Sequence, residues 1–244
     1  MPSLSETIHQ RHLEILDRIR AAEQKAGRPP CSARLVVVTK SQPLETIRAA
    51  LEAGIHILGE NYPEEAIEKV KAIPGTDVEW HMIGHVQGRK ANLIPGNFAL
   101  MHSLDSLRLA TRLDRFAAQA GQSLPVLLEF NVGEEEGKFG WAASDEAHWD
   151  ALSPDIDMVL KSGNLQVRGL MTMPPLFENP ERTRPYFQKL RRLRDHLVQK
   201  FPAADWSELS MGTSVDFEAA VEEGATLVRV GTAIVGPRPS KPLE

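Results

Sequence analysis

Hydrophobic and polar positions along this chain follow two rhythms. Short β-branched or apolar runs recur, and between them lie longer stretches with apolar residues three and four apart. The first rhythm is that of strands buried on both faces, the second that of amphipathic helices. The opening stretch, 3–27, reads as a helix with Ile8, His12, Ile15, Ile19 and Ala22 on one stripe. Ser3 or Ser5 can cap its start, and Gly27-Arg28-Pro29-Pro30 stops it. Such a leader helix is expected to pack outside a larger body.

Strand and helix then alternate. The run Leu35-Val36-Val37-Val38-Thr39-Lys40 is the first strand, and Pro43 opens a helix that Gly54 ends. A short run at 55–58 leads into Gly59-Glu60-Asn61, and Pro63 starts the next helix. Further strands are expected at 78–84, 98–104, 124–132, 165–173, 205–211 and 226–235. Helices fill 87–93, 105–120, 144–160 (broken at Pro154), 180–200 and 215–223. The segment 133–140, with Glu134-Glu135-Glu136 between glycines, reads as a flexible loop. Eight strands alternating with helices predict a parallel sheet closed into an α/β (β/α)8 TIM barrel with an extra N-terminal helix. The whole of 1–244 is expected to be one domain, with 1–30 as the leader helix packed on the barrel. An open doubly wound sheet competes, but no Gly-x-Gly-x-x-Gly turn follows the first strand.

Composition sharpens this picture. A chain of 244 residues fits one such barrel, and 42% hydrophobic with 25% charged residues is ordinary for a globular protein. The formal net charge of -5 argues against a nucleic-acid footprint, and Lys189, Arg191, Arg192 and Arg194 read as one solvated helix face. Cys31, the single cysteine, cannot form an internal disulfide or a thiolate metal cage, so no metal site is expected and a reducing, cytoplasmic compartment suits the chain. The N-terminus has no apolar signal region, and no run reaches the length of a membrane span.

Barrels of this kind place their chemistry at the carboxyl ends of the strands. There stand Lys40, Asn61, His81, Ser103, Asn131, Met171, Met173, Ser210 with Met211-Gly212, and Arg229 with Gly231-Thr232. Lys40 shares a strand face with Val36 and Val38; it is either a nucleophilic amine in a partly dry pocket or the strand's exit into solvent. Ser210-Met211-Gly212-Thr213-Ser214-Val215-Asp216 and Arg229-Val230-Gly231-Thr232 offer glycine turns and hydroxyls after strands seven and eight, a frequent phosphate site. Thr213 with Asp216 also fits a plain capping box. An amine and a phosphate cup together suit a phosphorylated aldehyde, either pyridoxal 5′-phosphate (PLP) or a sugar phosphate. Arg229 would point into the barrel beside Gly231. It could donate to a pyridine nitrogen without protonating it, or simply pair with Glu60 or Glu129.

These residues carry a family resemblance. Val37-Val38-Thr39-Lys40, Gly59-Glu60-Asn61, His81-Met82-Ile83-Gly84 with Gln87 and Lys90, Asn131 with Glu136, Lys138 and Gly140, Gly169-Leu170-Met171-Thr172-Met173, Leu209-Ser210-Met211-Gly212 with Ser214 and Asp216, and Val228-Arg229-Val230-Gly231-Thr232 together resemble the pyridoxal-phosphate homeostasis proteins of the YggS or PROSC type. The resemblance implies an alanine-racemase-like barrel with the cofactor as an aldimine on Lys40. It implies phosphate contacts from Ser210, Ser214, Gly231 and Thr232, Arg229 at the pyridine nitrogen, and Asn61, His81 and Met211 lining the ring pocket. It further implies a non-catalytic protein that binds and stores PLP or hands it over to PLP-dependent apoenzymes, and balances cofactor and amino-acid pools. The chain departs from the family pattern at Arg89, where asparagine is common, at Thr213, where a second methionine is frequent, and at Met82, where phenylalanine is more usual.

Two enzymatic alternatives stand beside this. A PLP-dependent amino-acid racemase of weak activity would need a second base, and Tyr62 is the candidate. Glu244 follows soon after the eighth strand, so the β-domain such racemases add is not expected, and with it the usual dimer-forming module, which makes a monomer the expectation. A lysine aldolase would resemble a barrel with its lysine on strand six, and the stretch 167–173 has none.

Overall fold

The computed structural model describes residues 2–75, 77–133, 135 and 137–238. Glu134, Glu136 and Glu244, which the sequence reading singled out, lie outside the described residues. Helix α1 (Leu4–Lys25) precedes β1 (Arg34–Val38), α2 (Leu44–Glu52), β2 (Ile57–Glu60), α3 (Pro63–Ala72) and β3 (Glu79–Met82). A 3-10 turn (Gly88–Leu93) leads to β4 (Leu100–Leu104), α4 (Leu107–Ala120), β5 (Leu124–Asn131) and a two-residue β6 (Trp141–Ala142). Then come α5 (Ser153–Leu160), β7 (Leu165–Met171), α6 (Arg184–Lys200), β8 (Glu208–Thr213), α7 (Phe217–Glu222), β9 (Leu227–Val230) and α8 (Thr232–Val235).

All pairings are parallel, in the order β4-β3-β2-β1-β9-β8-β7-β5, and β4 pairs with β5 to close the ring. The architecture is therefore the expected (β/α)8 barrel, with β6 added on β5 outside the ring. Alternation along each strand sends one set of side chains inward and the other toward the helices. Val36, Leu100, Leu127, Met171 and Leu227, with Ile57 against them, plug the interior. Leu35, Val37, Leu58, Met82, Leu128, Leu170, Leu209 and Val230 belong to the larger core beneath the helices. Each such side chain contributes about 1.5–3 kcal/mol when fully buried, so the two cores together hold the ring shut.

Helix α1 is fixed by its first turn. Ser3 Oγ accepts from the Glu6 N–H at 3.1 Å, and Glu6 Oε2 accepts from the Ser3 N–H at 2.6 Å, a reciprocal capping box. Its buried stripe of Ile8, Ile15, Ile19 and Ala22 packs on α2, α7 and α8. The leader helix thus covers the place where the first and last units of the barrel meet.

Three local expectations are corrected. The expected first strand stops at Val38, two residues before Lys40, because Thr39 turns its oxygens toward side chains of β2 and α3. The expected last strand, 226–235, ends at Val230. Gly231 leaves the extended region (φ -117°, ψ -90°), and its carbonyl accepts from the N–H groups of Ile234 and Val235 as α8 begins. Pro154 does not break a helix but lies in the first turn of α5, after a separate 3-10 turn (Glu146–Leu152).

Candidate functional site

The carboxyl ends of the strands surround a cavity of about 340 Å³, the size range of small-molecule sites. Lys40, Asn61, Ser214, Arg229, Gly231 and Thr232 line it. His81, Ser210 and Met211, named with them from the sequence, do not.

Lys40 sits in the turn after β1 and is half-buried. Its two neighbours hold it there. Thr39 Oγ1 donates to Glu60 Oε1 at 2.6 Å, and the Thr39 carbonyl accepts from Lys69 Nζ at 2.8 Å. The Ser41 N–H donates to Glu65 Oε1 at 2.7 Å, with Ser41 in the left-handed region (φ 58°). Lys69 ties the two carboxylates together, bonding to Glu60 and Glu65. Lys40 itself projects into the cavity beside Val38. Burial pulls its amine below the ordinary lysine value, and the positive charges of Arg238 and Arg229 add to this, against a smaller pull from Glu60. More of the amine is therefore free base, the form that attacks a carbonyl.

Arg229 comes up from β9 and is 3% exposed. It pairs with neither Glu60 nor Glu129, the two acids the sequence offered. Its Nη1 donates to Ser210 Oγ, and its Nη2 to the Thr172 carbonyl at 3.0 Å and to Met173 Sδ at 2.9 Å. Burial draws the guanidinium down to about 10, with Asp216 and Glu129 opposing the fall, so it stays charged at neutral pH. Glu60 is instead spent on Lys69, on the helix side of the ring.

The cup at the ends of β8 and β9 is built from backbone and hydroxyls. Ser214 Oγ accepts weakly from the Gly231 N–H at 3.4 Å. A Cβ on Gly231 would lie 3.1 Å from the Val38 carbonyl oxygen, a tight contact that would require β1 to give by a few tenths of an ångström. The expected Thr213–Asp216 capping box is not formed. Asp216 is itself the residue before α7, and its carboxylate reaches back to accept from Thr213 N–H at 2.7 Å and Thr213 Oγ1 at 3.0 Å. This folds the 213–216 turn so that Thr213 and Ser214 face the cavity.

Ser210 and Met211 are adjacent on β8 and so point to opposite faces. Ser210 faces the barrel interior, where its hydroxyl is engaged by His102 and Arg229. Met211 packs in the core beneath the helices. His81 lies in the interior too, hydrogen-bonded to His102. Asn131 holds the following loop, donating to the Glu135 carbonyl and accepting from the Gly133 N–H. Of the departures from the family pattern, Arg89 is exposed and bonds to Gln87, and Met82 is fully buried on the helix side.

Several residues had no place in the site as read from the sequence, where Glu129 stood only as a possible partner of Arg229. Glu129 lines the cavity at 9% exposure, and its Oε2 has no hydrogen-bond partner among the described residues. Burial raises its carboxyl to about 7, helped by Asp105 and opposed by Arg229 and Lys138. Phe139 roofs the cavity, stacked on His85 at 3.5 Å between ring centroids, and His85 is held by Asp105 at 2.8 Å. Lys69 and His102 were overlooked as well. The Glu65–Lys69 spacing of four on a helix was the available sign for one. A lone polar residue in step with Leu100 was the sign for the other.

Residues 13–239 match the family described as alanine racemase, N-terminal domain, which defines the class as a racemase-type barrel. The fold recurs in an alanine racemase from Clostridium difficile (TM-score 0.70, 15% identity), 97% of this chain aligning with 58% of that one. Sequence relatives are more specific. A pyridoxal phosphate homeostasis protein from Aquifex aeolicus is 42% identical over 94% of this chain and 97% of its own length. Another, from Vibrio alginolyticus, is 38% identical over 95% and 98%. PipY of Synechococcus elongatus, solved with PLP bound, is 35% identical with a TM-score of 0.76, covering 90% of this chain and 99% of its own. The chain belongs to the pyridoxal phosphate homeostasis protein family.

Proposed function

We propose that this protein holds pyridoxal 5′-phosphate in the 340 Å³ cavity and serves cofactor and amino-acid homeostasis as a binding protein. One observation carries the reading: an amine with a lowered pKa, a donor-only guanidinium and a hydroxyl-lined cup converge on a single cavity. The residues fit the group. Lys40 is the amine that would condense with the aldehyde carbon, releasing water. Ser214 and Thr232, with the N–H groups of Gly231 and Thr232, are the donors for the phosphate, and Arg238 adds positive charge nearby. Arg229 would donate to the ring nitrogen and, because a guanidinium cannot readily give up a proton, would leave that nitrogen unprotonated. Asn61 and Phe139 flank the ring space. When bound, PLP supplies an electrophilic aldehyde and a pyridine ring. An unprotonated ring is a weak electron sink, which suits retention more than turnover.

Racemase activity would need a base on the far side of the ring. Tyr62 is 53% exposed and does not line the cavity. The proposal extends to a cytoplasmic monomer that passes PLP to apoenzymes, which light scattering and transfer assays address.

The test is the visible spectrum with added PLP, followed by borohydride reduction and mass mapping. The expected result is a reduced adduct on Lys40. Lys40→Ala should lose that adduct yet keep weak, phosphate-competable binding, because the cup is separate from the amine. A protein that gains no absorbance and no adduct overturns the reading. Robust amino-acid racemisation lost in Tyr62→Phe would overturn the non-catalytic part.

A further inference from the structure

A line of polar groups crosses the barrel interior from the cavity to the opposite end of the sheet. Arg229 Nη1 meets Ser210 Oγ. Ser210 Oγ lies 2.7 Å from His102 Nδ1, and His102 Nε2 lies 2.9 Å from His81 Nδ1. His81 Nε2 then faces Glu79 Oε2 at 3.5 Å, on the residue that opens β3. The distances do not say who donates, but the chemistry does. A guanidinium can only donate, so Ser210 Oγ is an acceptor toward Arg229. The hydroxyl's own hydrogen then has one remaining partner, His102 Nδ1. That nitrogen is therefore bare and the ring proton sits on Nε2, which donates to His81 Nδ1. The same logic puts the His81 proton on Nε2, facing the Glu79 carboxylate. The reverse order would leave the Ser210 hydroxyl hydrogen without an acceptor and set a nitrogen lone pair against a carboxylate.

A doubly protonated His102 is excluded by its surroundings. It is fully buried, and Arg229 and Arg34 both face it. The groups around His81 are Glu79, Arg34 and Glu208, and Arg34 is paired with Glu208.

We propose that Ser210, His102 and His81 form a hydrogen-bond chain of one polarity that positions Arg229 for the cofactor ring. The inference rests on the PLP-binding reading for its purpose, but not for its geometry. Ser210, taken from the sequence as a phosphate contact, and His81, taken as a pocket wall, become positioning residues that act through Arg229. Chains with a common direction polarise each link, so the acceptor offered to Arg229 is stronger than an isolated serine.

The first measurement is long-range 1H–15N NMR of the wild-type protein without ligand, with signals assigned through His81→Gln and His102→Gln. Both rings should show a protonated Nε2 and a bare Nδ1, unchanged between about pH 6 and 8. A protonated Nδ1 on His102, or rapid averaging of its two nitrogens, overturns the chain. The second is titration with PLP. His102 Nδ1 should shift on binding, and Ser210→Ala should weaken binding about tenfold or more while the reduced adduct still maps to Lys40. Ser210→Thr, which keeps the hydroxyl, should recover the affinity. Wild-type affinity in Ser210→Ala overturns the positioning role alone. A wild-type protein that shows the expected tautomers but binds no PLP overturns the cofactor reading, and with it the purpose of the chain.

Discussion

Two polar clusters lie on opposite sides of the same strand ring, and they solve the problem of buried charge differently. On the helix side, Glu60 is fully buried and its Oε1 is paired with Lys69, which also bonds to Glu65 and to the Thr39 carbonyl, while Glu60 Oε2 has no hydrogen-bond partner among the described residues. Inside the barrel, Arg229 faces no hydrogen-bonded acid. Its donors go to a serine, a carbonyl and a thioether, and the two histidines beyond are held neutral by burial. The first cluster fixes Lys40 by ion pairing around the turn that carries it. The second leaves one guanidinium charge free to face the cavity. Pairing makes a rigid frame, whereas an unpaired charge is available to a ligand.

This contrast can be broken at either side. The largest effect is expected at the paired cluster. Lys69→Met strands the buried Glu60 and the Thr39 carbonyl, and should cost about 3–5 kcal/mol. Urea melts measure this, and adding Glu60→Leu should return much of it; a loss under about 1 kcal/mol in the single variant would show that the clamp is dispensable.

Glu129 represents a third solution, a buried carboxyl that has no ion pair among the described residues and whose Oε2 has no hydrogen-bond partner there. Its folded value of about 7 lies above the ordinary 4.5. Between those values the folded state holds a proton that the unfolded state has released, so stability falls as pH rises through this window and levels off above it. Glu129→Gln should abolish that fall. Above pH 7 the variant should be more stable than the parent by about 3 kcal/mol, and similar to it below about pH 4.5. Melting temperatures across pH 4–9 provide the check.

The smallest effect concerns the neutral histidines. His102 is pushed well below the ordinary 6.5 by burial, then by His81 and the arginines. On acidification the unfolded chain takes up protons first, so stability should fall as pH drops below about 6.5. His102→Gln should flatten this slope by up to about 1.4 kcal/mol per pH unit, whatever constant offset the substitution brings. Parallel slopes for variant and parent would mean that His102 titrates normally when folded.

Much of the barrel could be read without coordinates. The β-branched runs, the helical stripes and the Gly and Pro punctuation placed every ring strand within a few residues. What they misplaced were strand ends, at Val38 and Val230, where side-chain bonds and a glycine decide the exit from the sheet. The site was legible where a residue's chemistry and its strand-end position agreed, as at Lys40, Arg229 and Gly231.

It was less legible where facing mattered. Ser210 and Met211 were both placed in the site, yet neighbours on a strand point to opposite sides. A strand buried on both faces carries no polar side to reveal which face turns inward, and the register shifts between β8 and β9 and between β4 and β5 move the alternation further. The periodicities, the order of elements and the reactive groups are properties of the residues themselves, because these follow from local sterics and from covalent chemistry. Tertiary structure alone decided that Lys69 would grip the turn of Lys40, that Glu129 Oε2 would have no hydrogen-bond partner among the described residues, and that two histidines would line up behind Arg229. Those contacts join residues far apart in the chain, and only closing the ring brings them within hydrogen-bond reach.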